Sequence, residues 1–212
     1  MTPRKSLRLG ITGHRVLAEA DKIEAGIEAA LRGIEGAYPG AAFTALSALA
    51  EGADRLVAER VLARPSGTLV AVLPLPEAVY VEDFATEDSR AQFRDLLRRA
   101  ERRVELGAGG AGGAGGAGGG RAGGGRAQAY ARAGEYILEH CDVLVAVWDG
   151  RPVQGHGGTG AVVAAARERG KPLVWVHAGN RVPGTMEPTS LGDEQGTVSF
   201  ERLRRPEREP PA

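Results

Sequence analysis

The sequence predicts an α/β protein: a mainly parallel sheet with helices on both faces. Three observations carry this. Short, continuously apolar segments such as "DVLVAVW" and "PLVWV" recur along the chain, as expected of strands buried on both faces. Segments with apolar residues at helical spacing lie between them. Small and polar residues gather just after the strand segments.

The elements follow in order. "SLRLGIT" (6–12) reads as a buried strand ending at Gly13. "DKIEAGIEAALRGIEGAY" (21–38) puts Ile23, Ile27, Ala30, Leu31 and Ile34 on one helical face, with Asp21 as N-cap and Gly36 as stop. "AAFTALSAL" (41–49) is a second strand and "GADRLVAERVLAR" (52–64) a second helix. "GTLVAVLPL" (67–75) is a third strand, stopped by Pro74 and Pro76. "EDSRAQFRDLLRRAERR" (87–103) is an amphipathic helix, and "VEL" (104–106) a short fourth strand. "AQAYARAGEYILEHC" (127–141) is a helix, and "DVLVAVWDG" (142–150) the most apolar strand, expected near the sheet centre. "GTGAVVAAARERG" (158–170) is a helix with Arg167 and Arg169 in its last turn, where a helix favours cations. "KPLVWVHAG" (171–179) is the last strand.

Residues 1–180 are read as one domain. It is interrupted by a glycine-rich insert, "GAGGAGGAGGAGGGRAGGGR" (107–126), which offers no side chains to bury. Such a coil has an end-to-end distance of roughly 25 Å and is expected to be a flexible loop. Residues 181–212 read as a polar, largely disordered tail in which "GTVSFERL" could form one strap. A chain of 212 residues suits a single core.

Composition excludes several classes. The formal net charge is zero, so nothing draws the chain toward nucleic acid or an anionic membrane. Nearly all positive charge is arginine, with lysine only at Lys5, Lys22 and Lys171. Cys141 is the sole cysteine, so neither an intrachain disulfide nor a cysteine metal cluster is expected. No apolar run approaches the roughly 20 residues of a membrane span. "MTPRKS" lacks the apolar centre of a signal peptide, and a cytoplasmic protein is expected.

In parallel sheets the ligand lies beyond the carboxyl ends of the strands. Thr12, Gly13, His14 and Arg15 follow the first strand. Ser47, Glu51, Gly52, Asp54 and Arg55 follow the second, and Tyr80, Asp83 and Phe84 come after the third. Asp149, His156, Gly157, Gly158 and Thr159 follow the "DVLVAVW" strand. Gly155, Gly157 and Gly160 formally spell G-x-G-x-x-G, but they follow a late strand. No acidic residue stands about 20 positions on, where a dinucleotide fingerprint has one. A Walker A loop fails too, for want of Gly-Lys-Ser/Thr. The turn still favours an anion. Gly157 and Gly158 allow close backbone approach, Thr159 offers a hydroxyl, and a helix begins there with its free N–H groups.

Several residues have two readings. Arg15 fits a bidentate phosphate contact or an exposed loop cap. Glu51 and Asp54 fit ribose binding, general-base chemistry, or simple first-turn preference. Asp149 fits a ligand contact or an Asx-type turn. His14 and His156 could meet across the pocket, but metal-ligand spacing is absent and no metal is expected.

"ITGHR", "SALAEGADRL", "LPLP…Y…DF", "HCDVLVAVWDG" and "GHGGTGAVV" together resemble the SLOG superfamily. The likeness spans roughly residues 6–178 and points to a bacterial branch marked by TGHR, GADR and WDG…GGT. It implies a Rossmann-like three-layer sandwich that binds a nucleotide or nucleotide-derived ligand, as a sensor or carrier. A homo-oligomer is implied only by this resemblance, and no cofactor is expected. The superfamily includes the LOG nucleotide phosphoribohydrolases and the DNA-processing protein DprA. LOG enzymes carry P-G-G-x-G-T-x-x-E with a catalytic glutamate. Here Val162 stands at that position, His156 replaces the second glycine, and the proline is missing. A binding protein is therefore expected over an enzyme. The alternatives are an N-glycosidase acting through Glu51 or Asp54 and, less in keeping with zero net charge, a DNA binder. The expected ligand residues are Gly13, His14, Arg15, Ser47, Glu51, Gly52, Asp54, Asp149, Gly157, Gly158 and Thr159.

Overall fold

A computed structural model describes residues 6–107, 122–152 and 158–203. β1 (Ser6–Gly13) starts at the middle of the sheet, and the chain then steps outward. α1 (Ala20–Ala37), β2 (Ala42–Ser47), α2 (Ala53–Leu62) and β3 (Thr68–Leu73) come first. A four-residue helix, α3 (Glu77–Tyr80), precedes α4 (Glu87–Arg99) and the edge strand β4 (Arg102–Glu105). α5 (Ala122–His140) carries the chain back across the sheet to β5 (Val143–Trp148). α6 (Thr159–Glu168), β6 (Leu173–His177) and β7 (Val198–Glu201) complete it.

The strand order is β4-β3-β2-β1-β5-β6-β7, and only β7 runs antiparallel to its neighbour. β1 and β5 pair in parallel, Leu9 opposite Val143 and Gly13 opposite Val147. The order of progression reverses between these two strands. That reversal opens a crevice beyond their carboxyl ends, since the connections leave in opposite directions.

Alternation along the strands builds the layers. Leu9, Ile11, Val143, Val145, Val147, Val174 and Val176 share one core with Ile23 and Ile27 of α1, Val57 and Val61 of α2, and Phe93 of α4. Leu144, Ala146, Trp148 and Leu173 face the other way, against Val163 and Ala166 of α6. Leu46 and Val72 meet Ala133 and Ile137 of α5. The molecule is a Rossmann-like three-layer sandwich, as the sequence predicts.

Several boundaries differ from expectation. Glu19, not Asp21, stands at the N-cap of α1, and Asp21 lies in the first turn. α4 stops at Arg99 because the chain turns extended at Ala100 to reach β4. α5 begins at Ala122, inside the segment read as the glycine insert. Residues 108–121 of that insert lie outside the described residues, as do Gly155, His156, Gly157 and 204–212.

The boundary expected at 180 is also corrected. Residues 181–203 continue the folded body: β7 pairs with β6, and Arg181 bridges Pro188. The buried side chain of Gln195 holds this segment down. Its Oε1 accepts from Gly179 N at 2.9 Å and Leu191 N at 3.1 Å, and its Nε2 donates to Ala18 O at 2.9 Å. A polar composition concealed a segment fastened by one satisfied amide, by pairing with β6 and by the packing of Val198 and Leu203 on the core.

Candidate functional site

Two connected chambers occupy the crevice at the β1/β5 switch. The first, about 340 Å³, is lined by Ile11, Thr12, Arg15, Asp54, Tyr130 and Ile137 among others. The second, about 610 Å³, is lined by His14, Trp148, Asp149, Arg151, Asn180 and Arg181 among others. Gly13, Arg15, Gly158 and Thr159 border both and form the saddle between them.

Local backbone choices build the saddle. His14 N donates to Val147 O, which closes the end of β1 against β5. Ala53 N donates to His14 O, which brings the first turn of α2 against the same loop. Gly52 makes that approach possible. Its φ is +75°, and a Cβ there would lie 2.4 Å from Arg15 O and 2.6 Å from His14 O. Gly158, at φ +97°, caps α6 in a conformation that glycine alone adopts without strain. Among the described residues no side chain caps this helix. Its first N–H groups therefore face the saddle with the positive end of the helix dipole.

Arg15 stands at this junction. Its guanidinium carbon lies 5.1 Å from the centroid of the Tyr130 ring. Burial disfavours its charge, but Tyr130, Tyr80 and Asp54 outweigh that and hold its pKa above the ordinary value. Among the described residues it has no carboxylate within ion-pair distance. Tyr130 donates to Asp83, which also pairs with Arg126, so α5 is tied to the segment after α3.

Asp54 lies in the first turn of α2 and borders the smaller chamber. Burial raises its pKa to about 6, although Ala50 N–H, the Ser47 hydroxyl and Arg15 pull the other way. Its Oδ2 lies 3.3 Å from Ser47 Oγ and 3.4 Å from Ala50 N. A buried, perturbed carboxyl in a cleft makes Asp54 a candidate functional group.

This shift has a measurable consequence. The folded protein keeps the Asp54 proton up to about pH 6, whereas a free aspartate releases it near 3.8. Between those values the native state binds more protons, so Asp54 makes stability fall as pH rises from about 4 to 6. At pH 7 the full cost remains. Asp54→Asn is expected to stabilise the protein at pH 7 by about 1–3 kcal/mol and to flatten that fall. Urea titration of both proteins at pH 4, 5, 6 and 7 measures it. A destabilised, equally pH-dependent variant would show that the carboxylate serves the fold.

The other residues singled out in the sequence divide. Ser47 is fully buried, and besides meeting Asp54 it accepts from Leu49 N at 3.0 Å. It positions Asp54 rather than facing a chamber. Glu51 turns away, accepting from Ser89 Oγ at 2.5 Å, and borders neither chamber. Arg55 is buried beneath it, donating to Leu49 O, Ser89 O and Gln92 Oε1, with its guanidinium 4.4 Å from the Phe84 ring centroid. In "GADR", then, the aspartate faces the cleft and the arginine braces α4.

His14 and Asp149 meet. Asp149 N donates to His14 Nε2 at 3.1 Å, which requires an unprotonated nitrogen there. Burial lowers the His14 pKa, and the nearby Asp149 carboxylate only partly offsets it. Asp149 Oδ1 also accepts from Arg151 N at 3.0 Å, the Asx turn that was one of its two readings. No group of three or more metal-ligating side chains occurs among the described residues. No described helix is long and apolar enough to cross a membrane.

Among the bordering residues that sequence reasoning missed are Tyr130, Arg151, Asn180 and Arg181. Asn180 and Arg181 follow directly on the last strand segment, so the strand-end rule reaches them. Tyr130 comes from the far side of the crevice, and only its place among the alanines of "AQAYARA" hints at it.

Comparison with known proteins adds little. No family model matches the chain, and no curated protein matches it significantly. Among solved structures, the X-ray structure of TM1055, a structural genomics target, is similar. It is 14% identical, with a TM-score of 0.43, over 79% of this chain and 72% of that one. The fold assignment rests on the sheet order itself. Fold and cleft together define a doubly wound, Rossmann-like α/β protein with a ligand-sized crevice at its topological switch.

Proposed function

We propose that this protein binds a nucleotide or nucleotide-derived small molecule in the switch crevice, as a sensor or carrier. One observation carries the reading. Arg15, a cation without a carboxylate partner, and the uncapped start of α6 border the same cavity. A phosphate on Gly158 and Thr159 would satisfy the helix N–H groups and Arg15 together. The base and ribose would fill the smaller chamber, whose walls are largely apolar with Asp54 as a polar fixture, the usual character of such pockets. The resemblance to the SLOG superfamily supports the same class of ligand. Thr159→Val removes the hydroxyl and keeps the shape. It is expected to weaken AMP binding about 3- to 10-fold in calorimetric titration, one hydrogen bond's worth. Unchanged affinity would take the phosphate off this turn.

A second reading is favoured by Asp54 alone. A carboxyl with a pKa of about 6 can give and take a proton near neutrality, as cleavage of an N-glycosidic bond requires. Glu51 is bonded to Ser89 and borders neither chamber, which favours Asp54 for that role. Incubation with AMP, followed through the anomeric proton by NMR, separates the readings. An anomeric signal of ribose 5-phosphate, released with adenine, that disappears in Asp54→Asn means a glycosidase. Binding with no such signal means a sensor or carrier.

A further inference from the structure

The larger chamber is constructed, not incidental. Its outer wall is the segment Asn180–Leu191, and Gln195 fixes that wall at both ends while anchoring it to Ala18 after β1. Within the wall, Thr189 N and Oγ1 both donate to Asn180 O, and Arg181 bridges Pro188. The chamber opens onto the saddle at Gly158 and Thr159 from the side opposite Asp54.

Its border is rich in arginine. Most arginines among the described residues pair with a carboxylate, as Arg64 does with Glu28 and Glu35, and Arg167 with Glu201. Arg151 and Arg181 border the larger chamber and form no such pair. Among the described residues, the Arg181 side chain bonds only Met186 Sδ, at 3.3 Å. Arg151 is exposed at the chamber border, and its backbone N donates to Asp149 Oδ1 at 3.0 Å. Three cations without carboxylate partners, Arg15, Arg151 and Arg181, thus border one chamber beside one helix start. A single phosphate monoester on the saddle satisfies Arg15 and leaves the other two unmatched.

We infer that the larger chamber receives a second phosphoryl group, so that the ligand is a nucleoside diphosphate or a derivative extended through its β-phosphate. This rests on the reading that the first phosphate lies on Gly158 and Thr159. The base and ribose occupy the smaller chamber, the α-phosphate crosses the saddle, and the β-phosphate meets Arg151 and Arg181. Arginine suits this task, because its planar fork matches phosphate oxygens two at a time.

The test is calorimetric titration of the full chain with AMP and with ADP, at fixed ionic strength and without divalent cations. ADP is expected to bind at least tenfold more tightly than AMP. The double variant Arg151→Ala/Arg181→Ala should reduce that ratio to about one. Arg102→Ala, on the edge strand β4 and bordering neither chamber, should leave it unchanged. AMP binding with no advantage for ADP would overturn the second phosphoryl site and spare the proposed function. An advantage that survives the double variant would overturn the assignment to these arginines. Binding of neither nucleotide would overturn the proposed function itself.

Discussion

Arg15→Ala is expected to weaken AMP binding by about 10- to 100-fold while leaving the fold intact. Arg15 forms no ion pair among the described residues, so its removal breaks none. Tyr130 loses its cation and hydrogen-bond neighbour, and the buried Asp54 carboxyl loses a favourable charge, which pushes its pKa further up. Hydrogen bonds to charged groups contribute about 1.5–3 kcal/mol each, which sets the size of the effect. Arg15→Lys keeps the charge but loses the two-pronged geometry, and should recover only part of the affinity. Calorimetry gives the affinities, and circular dichroism shows whether the fold persists. An Arg15→Ala protein that binds AMP as the parent does would assign the arginine to packing on Tyr130.

The second large effect is on stability. Gly52→Ala places a Cβ 2.4 Å from Arg15 O and 2.6 Å from His14 O, at a φ of +75°. Neither carbonyl can easily retreat, since His14 O accepts from Ala53 N and the loop is fastened to β5 through His14 N. Strain and clash together should cost on the order of 3 kcal/mol, a fall in Tm of roughly 6–12 °C for a domain of this size. Because Gly52 sets the spacing between the β1 loop and α2, ligand affinity should fall with it. A thermal melt within about 2 °C of the parent would show that the loop has slack, and the saddle would then be less fixed than its hydrogen bonds suggest.

The central strand β5 is legible in the sequence because burial on both faces removes every polar residue from it. All six side chains of β5, "VLVAVW", are buried, and the run identifies itself. The edges are not legible in this way. β4 is "RRVE", charged because one face meets water, and only part of it was recognised. β7 pairs along a single side and reads as tail composition. The four-residue α3 is too short for any periodicity to mark.

The candidate site was legible as an edge but not as a set of orientations. "TGHR", "GADR" and "GGT" all follow strands, and described residues of all three border the crevice. Glu51 and Asp54 are equivalent in sequence, both acidic and flanking one glycine. The positive φ at Leu49 and Gly52 turns Glu51 toward Ser89 and Asp54 toward the chamber. No local pattern announces that choice. The wall from Asn180 to Leu191 was hidden for a different reason. It is held by one buried amide, Gln195, and a single polar residue in a polar segment gives no signal.

The most direct test of the central claim reads the saddle itself. Amide chemical shifts of ¹⁵N-labelled protein would be followed during titration with AMP, and separately with adenosine. The account predicts that AMP moves the amides of Gly13, Arg15, Thr159 and Gly160 together. Adenosine should move mainly residues of the smaller chamber, such as Ala133 and Ile137. If AMP at millimolar concentration left the amides at the start of α6 unmoved, the crevice would not be a phosphate site and the proposed function would fall.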